Sequence, residues 1–244
     1  MTRVLLTGAG GFVGHHTLEH ILATTDWEIV CTDSFRHSGK TDRIVEVVAG
    51  GPHTPDQFPI WGDRVTVVTH DLTVPFSDQL AMKIGHIDAI ISMASESHVD
   101  RSIEFPAAFV ANNVQLILNL LEYHRTYVPD AIFLQVSTDE VYGPAPEEHN
   151  HVEWETFLPS NPYSASKAAQ ESIAFSYWRT FKTPLILTNT MNIIVERQDP
   201  EKFVPMVIKK VLDGDTVTIH ASPEGKPGSR YYLHARNQAD ALVH

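Results

Sequence analysis

Cysteine is almost absent from this sequence. Cys31 is the single cysteine among 244 residues, so the chain can form neither an internal disulfide nor a zinc site built from several thiolates. Small domains held together by disulfides are therefore excluded, and the fold has to rest on a hydrophobic core. The length suffices for one large domain, or for one domain with part of a second.

Basic residues are also scarce. Eighteen lysines and arginines stand against 30 acidic residues, which gives a formal net charge of −12 at pH 7 with neutral histidines. Binding along a nucleic-acid backbone needs clustered cations that neutralise phosphates, so we predict no nucleic-acid partner. A local pocket for one small anion is compatible with this charge.

Long apolar runs are missing as well. The sequence contains no stretch of about 18 apolar residues, so neither a transmembrane helix nor a membrane partner is predicted. Residues Met1–Val4 lead directly into a strand-like run, without the apolar stretch of a signal peptide. We therefore expect a cytoplasmic protein.

Short apolar segments alternate with helical segments as far as about residue 190. Strands are predicted at 4–6, 27–31, 65–68, 89–91, 132–136 and 185–187, helices at 12–23, 42–48, 77–84, 109–123 and 164–181, and a loop at 50–62. This alternation predicts an α/β fold of the Rossmann type, with a doubly wound parallel sheet that helices cover on both faces.

A glycine-rich turn follows the first predicted strand. Gly8, Gly11 and Gly14 form G-x-x-G-x-x-G between that strand and the first helix. This spacing permits a tight turn and the close approach of a pyrophosphate, to which the helix N-terminus offers free N–H groups. Three spaced glycines also suit a plain loop, but their place in a βαβ unit favours a dinucleotide site.

An acidic residue after the second strand favours NAD as the dinucleotide. Asp33 lies where a carboxylate can accept hydrogen bonds from both ribose hydroxyls and would repel the 2′-phosphate of NADP. Alternatively, Asp33 caps a turn, and the nearby Arg36 leaves room for NADP. Asp71 and Leu72, after the third strand, are candidates to contact the adenine.

Tyr163 and Lys167 lie four residues apart, on one face of a predicted helix. An unperturbed tyrosine has a pKa of about 10 and is a poor base at pH 7, but a neighbouring ammonium favours the phenolate. We therefore expect Lys167 to lower the pKa of Tyr163 and to hold a ribose hydroxyl. The alternative is an exposed pair, because Y-x-x-x-K is a common pattern.

A hydroxyl and two carboxylates follow the fifth predicted strand. Thr138, Asp139 and Glu140 lie at the carboxyl end of a parallel strand, where side chains point into the ligand crevice. Two carboxyl groups in one cleft can hold different pKa values, so that one donates a proton and the other accepts one. Taken alone, the segment also fits a solvated acidic loop.

Five segments together resemble the extended short-chain dehydrogenase/reductase family, the NAD-dependent epimerases and dehydratases. They are TGAGGFVG (7–14), SESHVDRS (95–102), STDEVYG (137–143), NPYSASKAAQE (161–171) and PEKFVP (200–205), and they are most similar to the dTDP-glucose 4,6-dehydratase group. The resemblance implies an NAD-binding Rossmann domain over 1–190 that carries the catalytic residues. It also implies a partial nucleotide-sugar-binding lobe over 191–244.

The chemistry that the resemblance implies is dehydration of a nucleotide-diphosphate sugar to its 4-keto-6-deoxy form, with NAD as cofactor. Tyr163 would take the proton of the C4 hydroxyl, and Thr138 would hydrogen-bond the C4 oxygen. Glu140 would remove the C5 proton, and Asp139 would protonate the departing C6 hydroxyl. Lys167 would bind the nicotinamide ribose.

The resemblance also implies contacts with both ligands and with a second subunit. Cofactor contacts are expected at Gly8, Gly11, Phe12, Val13, Gly14, Asp33, Asp71, Leu72, Ala94, Ser137, Tyr163 and Lys167. Substrate contacts are expected at Ser97, Arg101, Thr138, Asn192, Lys202, Phe203 and Arg230. A homodimer is expected through the helices at 109–123 and 164–181, where Leu116 and Leu120 could serve the interface or the core.

The sequence departs from the family pattern at several points. Ile193-Ile194-Val195-Glu196 replaces the usual Asn-Tyr-Gly-Pro turn, Ser95 replaces a common alanine, and the segment 143–161 is compressed. The chain also ends early in the substrate lobe, so we expect that lobe to be incomplete. A same-fold 4-epimerase or decarboxylase, which generally lacks the Asp139 carboxylate, and a non-catalytic protein that binds NAD or a nucleotide sugar are the alternatives.

No metal site is predicted. His16 and His20 have the i, i+4 spacing of metal ligands on a helix, but no cysteine or carboxylate completes a set there. His149 and His151 lie in a loop rich in proline and glutamate, where we expect them to be solvated.

Overall fold

A sheet of six parallel strands forms the centre of the computed structural model, which describes residues 1–50, 62–145, 148–219, 221–223 and 225–244. The strands are β1 (Arg3–Thr7), β2 (Glu28–Asp33), β3 (Val65–Thr69), β4 (Ala89–Ser92), β5 (Ile132–Thr138) and β6 (Leu185–Thr190). Their order is β3-β2-β1-β4-β5-β6, and each neighbouring pair is parallel. The predicted doubly wound Rossmann-type fold is confirmed.

Helices connect these strands and continue beyond them. They are α1 (Phe12–Thr24), α2 (Thr41–Val48), α3 (Asp78–Ile84), α4 (Val99–Glu104), α5 (Pro106–Tyr127), α6 (Pro162–Phe181), α7 (Phe203–Asp213) and α8 (Ala235–Val243). Two short strands, β7 (Asn192–Ile194) and β8 (Tyr232–His234), pair in parallel as a second sheet. All six strands and five helices of the sequence prediction occur, whereas α4, α7, α8 and the second sheet were not predicted. The predicted loop at 50–62 falls almost wholly outside the described residues.

The main sheet buries both of its faces, because successive side chains of a strand point to opposite sides. In β1, Val4 and Leu6 belong to the core cluster under α1, while Leu5 belongs to the cluster under α5. Leu116 and Leu120 of α5 are 5% and 0% exposed and lie in that second cluster. Of their two expected roles, the structure therefore assigns them to the core.

The last helix, α8, packs against α1. Leu242 and Val243 join the core cluster that also contains Leu18 and Ile21 of α1. Part of the segment 191–244 thus completes the core of the Rossmann unit, and the boundary at residue 190 stays a prediction.

The structure also describes the length and character of the helices and the surroundings of the single cysteine. Within the described ranges, no helix combines the length and the apolar character that crossing a membrane requires. Cys31 is buried in β2, and burial raises the pKa of its thiol to about 12. The thiol therefore stays protonated and contributes to packing.

Candidate functional site

A cleft of about 540 Å³ opens at the carboxyl ends of the parallel strands. It lies where the strand order reverses between β1 and β4, the position at which open α/β sheets bind their ligands. All twelve residues predicted to contact the cofactor line this cleft. Four of the five predicted catalytic residues line it too, and the fifth, Asp139, lies in the same turn as Glu140.

The glycine turn has the shape that a pyrophosphate site requires. Gly8 adopts a φ of 71°, which disfavours any residue with a side chain. Gly14 lies so close to the turn that an added Cβ would be 2.1 Å from the Gly8 carbonyl oxygen. No side chain caps the N-terminus of α1 at Gly11, so its first N–H groups are available to an anion. These residues fit NAD.

Asp33 is held in place at the end of β2 by backbone N–H groups. Its carboxylate accepts hydrogen bonds from Gly10 N at 3.1 Å and from Phe35 N at 2.9 Å. Arg36 forms an ion pair with Asp71, with 2.8 Å between Nη1 and Oδ2. NADP would need Arg36 to leave this ion pair, so the arrangement favours NAD.

Arg43 is a cleft residue that the sequence did not reveal. It is 8% exposed, lies on α2, and donates hydrogen bonds to the carbonyl oxygens of Gly10, Ser38 and Arg197 at 3.0–3.1 Å. These bonds tie the glycine turn to the loop after β2 and to the segment after β7. An arginine in a predicted amphipathic helix carries no signal of such a role, since arginines are usually exposed there.

Residues Asp139–Tyr142 form a single 3₁₀ turn directly after β5, which we call the catalytic turn after the role predicted for its two carboxylates. Thr138 Oγ1 accepts a hydrogen bond from Glu140 N and donates one to Asp139 Oδ1, both at 3.3 Å. Asn161 caps α6 and donates from Nδ2 to Glu140 Oε2 at 3.5 Å. The turn that carries both carboxylates is therefore linked to the helix that carries Tyr163.

Tyr163 and Lys167 differ from the sequence prediction in their electrostatics. Burial and the negative charges of Glu140 and Asp139 raise the pKa of Tyr163. A hydrogen bond with Thr138 lowers this pKa but offsets the rise only in part. Lys167 Nζ donates to the carbonyl of Val136 and to Gln170 Oε1, both at 2.8 Å, and burial lowers its pKa to about 8. The expected lowering of the Tyr163 pKa by Lys167 is thus wrong for the chain alone, because burial disfavours both charged forms.

A buried polar network supports the catalytic turn from below. Glu171 is 1% exposed and accepts a hydrogen bond from Asn189 Nδ2 at 2.8 Å, and its burial raises its pKa. Asn189 also donates to the Thr138 carbonyl and accepts from the Tyr142 hydroxyl, both at 3.3 Å. The sequence could have revealed Glu171 as a neighbour of the site, because it lies four residues after Lys167 on the same helix face.

The predicted substrate residues occupy the outer part of the cleft, with one exception. Ser97, Arg101, Asn192, Lys202 and Phe203 line it, and Thr138 lies at its base. Lys202 Nζ donates to the Ser97 carbonyl at 3.5 Å, which connects the two walls.

Arg230 is the exception. Its side chain is exposed, does not line the cleft, and donates from Nη1 to the neighbouring Ser229 carbonyl at 2.8 Å. Its role toward a diphosphate stays a prediction.

Comparison with known families agrees with this site. The NAD dependent epimerase/dehydratase family matches residues 4–244. The chain belongs to this family. The predicted family and the predicted cofactor, NAD, are confirmed, and the glycine turn with Asp33 is the part of the cleft that fits it. The dTDP-glucose 4,6-dehydratase of Escherichia coli is 31% identical over 98% of this chain and 67% of that protein's length.

Solved structures of the family include both of its reaction types. A dTDP-glucose 4,6-dehydratase of Streptomyces venezuelae with NAD bound is 29% identical with a TM-score of 0.85, over 99% of this chain and 71% of that one. A UDP-glucose 4-epimerase of Thermus thermophilus in complex with NAD is 27% identical with a TM-score of 0.77, over 99% and 73%. The fold is therefore shared by dehydratases and epimerases, and the reaction has to be inferred from the site.

Proposed function

We propose that the protein is a nucleotide-sugar 4,6-dehydratase. The observation that carries the proposal is the catalytic turn. Its two carboxylates follow β5 directly, and together with the hydroxyl of Thr138, the last residue of β5, they lie near Tyr163. Glu140 and Tyr163 line the same cleft, and Asn161, which caps the helix of Tyr163, donates a hydrogen bond to Glu140 at 3.5 Å. The similarity to the dehydratases of Escherichia coli and Streptomyces venezuelae supports the same assignment.

The turn, together with Thr138 and Tyr163, provides the groups for the proton transfers of a dehydration. Tyr163 takes the proton of the sugar C4 hydroxyl as a phenolate, a form that burial disfavours in the chain alone, and Thr138 hydrogen-bonds the C4 oxygen. The glycine turn and Asp33 would hold NAD, which would supply a hydride acceptor for C4 and a hydride donor for C6. Glu140 removes the C5 proton, which the C4 ketone acidifies, and Asp139 donates a proton to the departing C6 hydroxyl.

The outer cleft supports a nucleotide-diphosphate sugar as the substrate. Arg101 and Lys202 bring two cations to the rim, where a diphosphate would pass. Arg101 Nε lies 3.7 Å from Glu96 Oε2, so its guanidinium is positioned before any ligand binds. Asn192 and the half-exposed ring of Phe203 offer an amide and an apolar face to a nucleobase.

The test is a panel of nucleotide-diphosphate sugars with different bases, incubated with the purified chain and NAD. Formation of a 4-keto-6-deoxy product is followed by its absorbance in alkali and by mass spectrometry, which reports loss of water. We expect product from at least one sugar. No product from any sugar, despite demonstrated NAD binding, would refute the proposal and leave a non-catalytic binding protein.

A 4-epimerase is the second candidate, because the Thermus thermophilus enzyme shares the fold. An epimerase needs Tyr163 and Lys167 but no acid for a departing hydroxyl, so Asp139 is the discriminating residue. The same panel separates the two, since an epimerase yields an isomer of unchanged mass.

We further propose that the protein acts as a homodimer in the cytoplasm. Phe175 and Trp178 lie three residues apart on α6 and are 42% and 46% exposed. Aromatic side chains on one helix face are typical of an interface with a second copy.

A further inference from the structure

Three side chains of metal-binding type meet on the segment between the catalytic turn and α6. The ligand atoms of His149, His151 and Glu155 all lie within 4.8 Å of one another. His149 Nε2 lies 2.8 Å from Glu155 Oε1, and His151 Nδ1 contacts the other carboxylate oxygen. His149 is exposed, as expected, whereas His151 is half-buried, and the chain folds back so that both histidines share one carboxylate.

The contact with the Gly143 carbonyl determines the tautomer of His151, and therefore which ring nitrogen has a free lone pair. His151 Nε2 lies 3.2 Å from Gly143 O. A carbonyl can only accept, so Nε2 carries the hydrogen, and a neutral ring then turns an unprotonated Nδ1 toward Glu155. Two acceptors in contact need a cation between them, either a proton or a metal ion. Histidines that ligate metals commonly donate their other N–H to a backbone carbonyl in this way.

We propose that His149, His151 and Glu155 bind one divalent transition-metal ion, of the class that includes Zn²⁺ and Co²⁺. Two imidazoles and a carboxylate suit these ions, whereas Mg²⁺ and Ca²⁺ prefer oxygen ligands alone. Bonds of about 2.1 Å to a tetrahedral ion place ligand atoms about 3.4 Å apart, so small side-chain rotations suffice. A water molecule completes the coordination.

The position of the cluster assigns a structural role to the ion. None of the three side chains lines the cleft, so the ion takes no part in the proposed dehydration. The His151 ring packs against the Tyr142 ring in a tilted arrangement, with 5.4 Å between ring centroids, and Tyr142 ends the catalytic turn. A bound ion would fix the segment that connects this turn to the helix with Tyr163.

The test uses the untagged, metal-free full chain, titrated with Co²⁺ and followed by visible absorption, with Zn²⁺ as competitor. We expect one ion per chain and a higher melting temperature with Zn²⁺. His149→Ala and His151→Ala should each weaken Co²⁺ binding at least tenfold. His86→Ala is the matched control, because His86 is exposed and contacts a single carboxylate, Asp88, at 2.8 Å.

Glu155→Gln keeps the size of the side chain and provides a second test if an alanine variant fails to fold. It should also weaken binding at least tenfold while leaving the circular dichroism spectrum unchanged. If the wild type binds Co²⁺ no more tightly than these variants, or if His86→Ala weakens binding equally, the proposal is wrong. In that case, only hydrogen bonds hold the three side chains together. Because NAD binding and dehydration do not involve these residues, either result leaves the proposed function to its own test.

Discussion

Tyr163 and Lys167 show how burial sets charge at the level of single residues. Burial disfavours the phenolate and the ammonium alike, so it raises the pKa of Tyr163 and lowers that of Lys167 to about 8. The two pKa values therefore move apart, and each shift favours the neutral form of its own group. A spacing rule predicts that the two side chains are neighbours, but the sign of these shifts depends on the surrounding core.

The two carboxylates give the most direct residue-scale prediction. Asp139→Asn and Glu140→Gln should each lower kcat for dehydration by about 10²–10⁴-fold, because each removes one proton-transfer group. NAD binding should be unchanged, since neither residue is predicted to contact the cofactor. The absorbance of the 4-keto-6-deoxy product in alkali measures kcat, and titration calorimetry with NAD measures cofactor binding.

Asp130→Asn is the control for this pair, because it makes the same chemical change at an exposed turn outside the cleft. A variant at Asp139 that loses activity only in proportion to its loss of folded protein would contradict the catalytic assignment.

At the scale of elements, the junction of β1 and α1 depends on one close approach. Gly14→Ala would place a Cβ 2.1 Å from the Gly8 carbonyl oxygen, and a backbone atom cannot move aside as a flexible side chain can. We expect at least tenfold weaker NAD binding and a lower melting temperature. Gly228→Ala should change neither, because its nearest contact to an added Cβ is the end of the Arg230 side chain at 3.9 Å.

Helix α1 also carries a buried histidine whose charge opposes folding. His15 is 1% exposed and donates from Nδ1 to the Gly11 carbonyl at 2.9 Å. Its pKa is lowered from 6.5 to about 4, mainly by burial and also by the charges of His16, Arg43 and Arg197, while the hydrogen bond to Gly11 raises the pKa in part. The folded protein therefore binds fewer protons than the unfolded chain between pH 6.5 and about 4.

This difference predicts the sign of a pH effect. The stability that His15 contributes is fully present above pH 6.5 and is lost as the pH falls toward 4, by about 3 kcal/mol in total. Denaturant unfolding at several pH values measures it. His15→Gln should flatten the profile in this window, and His86→Gln, at an exposed site, should not. Equal slopes for wild type and His15→Gln would refute the assignment.

At the scale of the whole molecule, the arrangement of exposed apolar side chains bears on assembly. Leu116 and Leu120 of α5 serve the core, so a dimer has to use other residues of the α5–α6 face. Phe175, Trp178 and Phe181 are exposed aromatic side chains that follow one another at spacings of three residues on α6, and the first two are proposed for this role.

Trp178→Glu tests that proposal, because a carboxylate buried between two copies costs several kcal/mol. We expect a dimer for the wild type and a monomer for the variant in analytical ultracentrifugation. Val45→Glu serves as the control, since Val45 is exposed on α2, away from α5 and α6. A monomeric wild type at working concentration would overturn the dimer.

Much of the main sheet could be predicted, because each of its strands is a short apolar run next to a turn signal. The helices α1, α5 and α6 were predictable for the same reason, through apolar residues at helical spacing. Helix α4 has six residues and lies within a motif, so its period is too short to detect. Helix α8 was not predicted, because its side chains are buried only through the packing of α8 against α1, which lies far away in the sequence.

The sequence by itself determined the family, the Rossmann-type fold, the glycine turn with Asp33 that fits NAD, and the set of reactive side chains. All of these depend on residues close together in the chain. The tertiary structure decided which of these residues share the cleft: Glu140 lines it, while Arg230 does not. It also decided the directions in which the pKa values of Tyr163 and Lys167 shift, and the meeting of His149 and His151 with Glu155. These properties depend on burial and on folded-chain contacts, which spacing along a sequence does not encode.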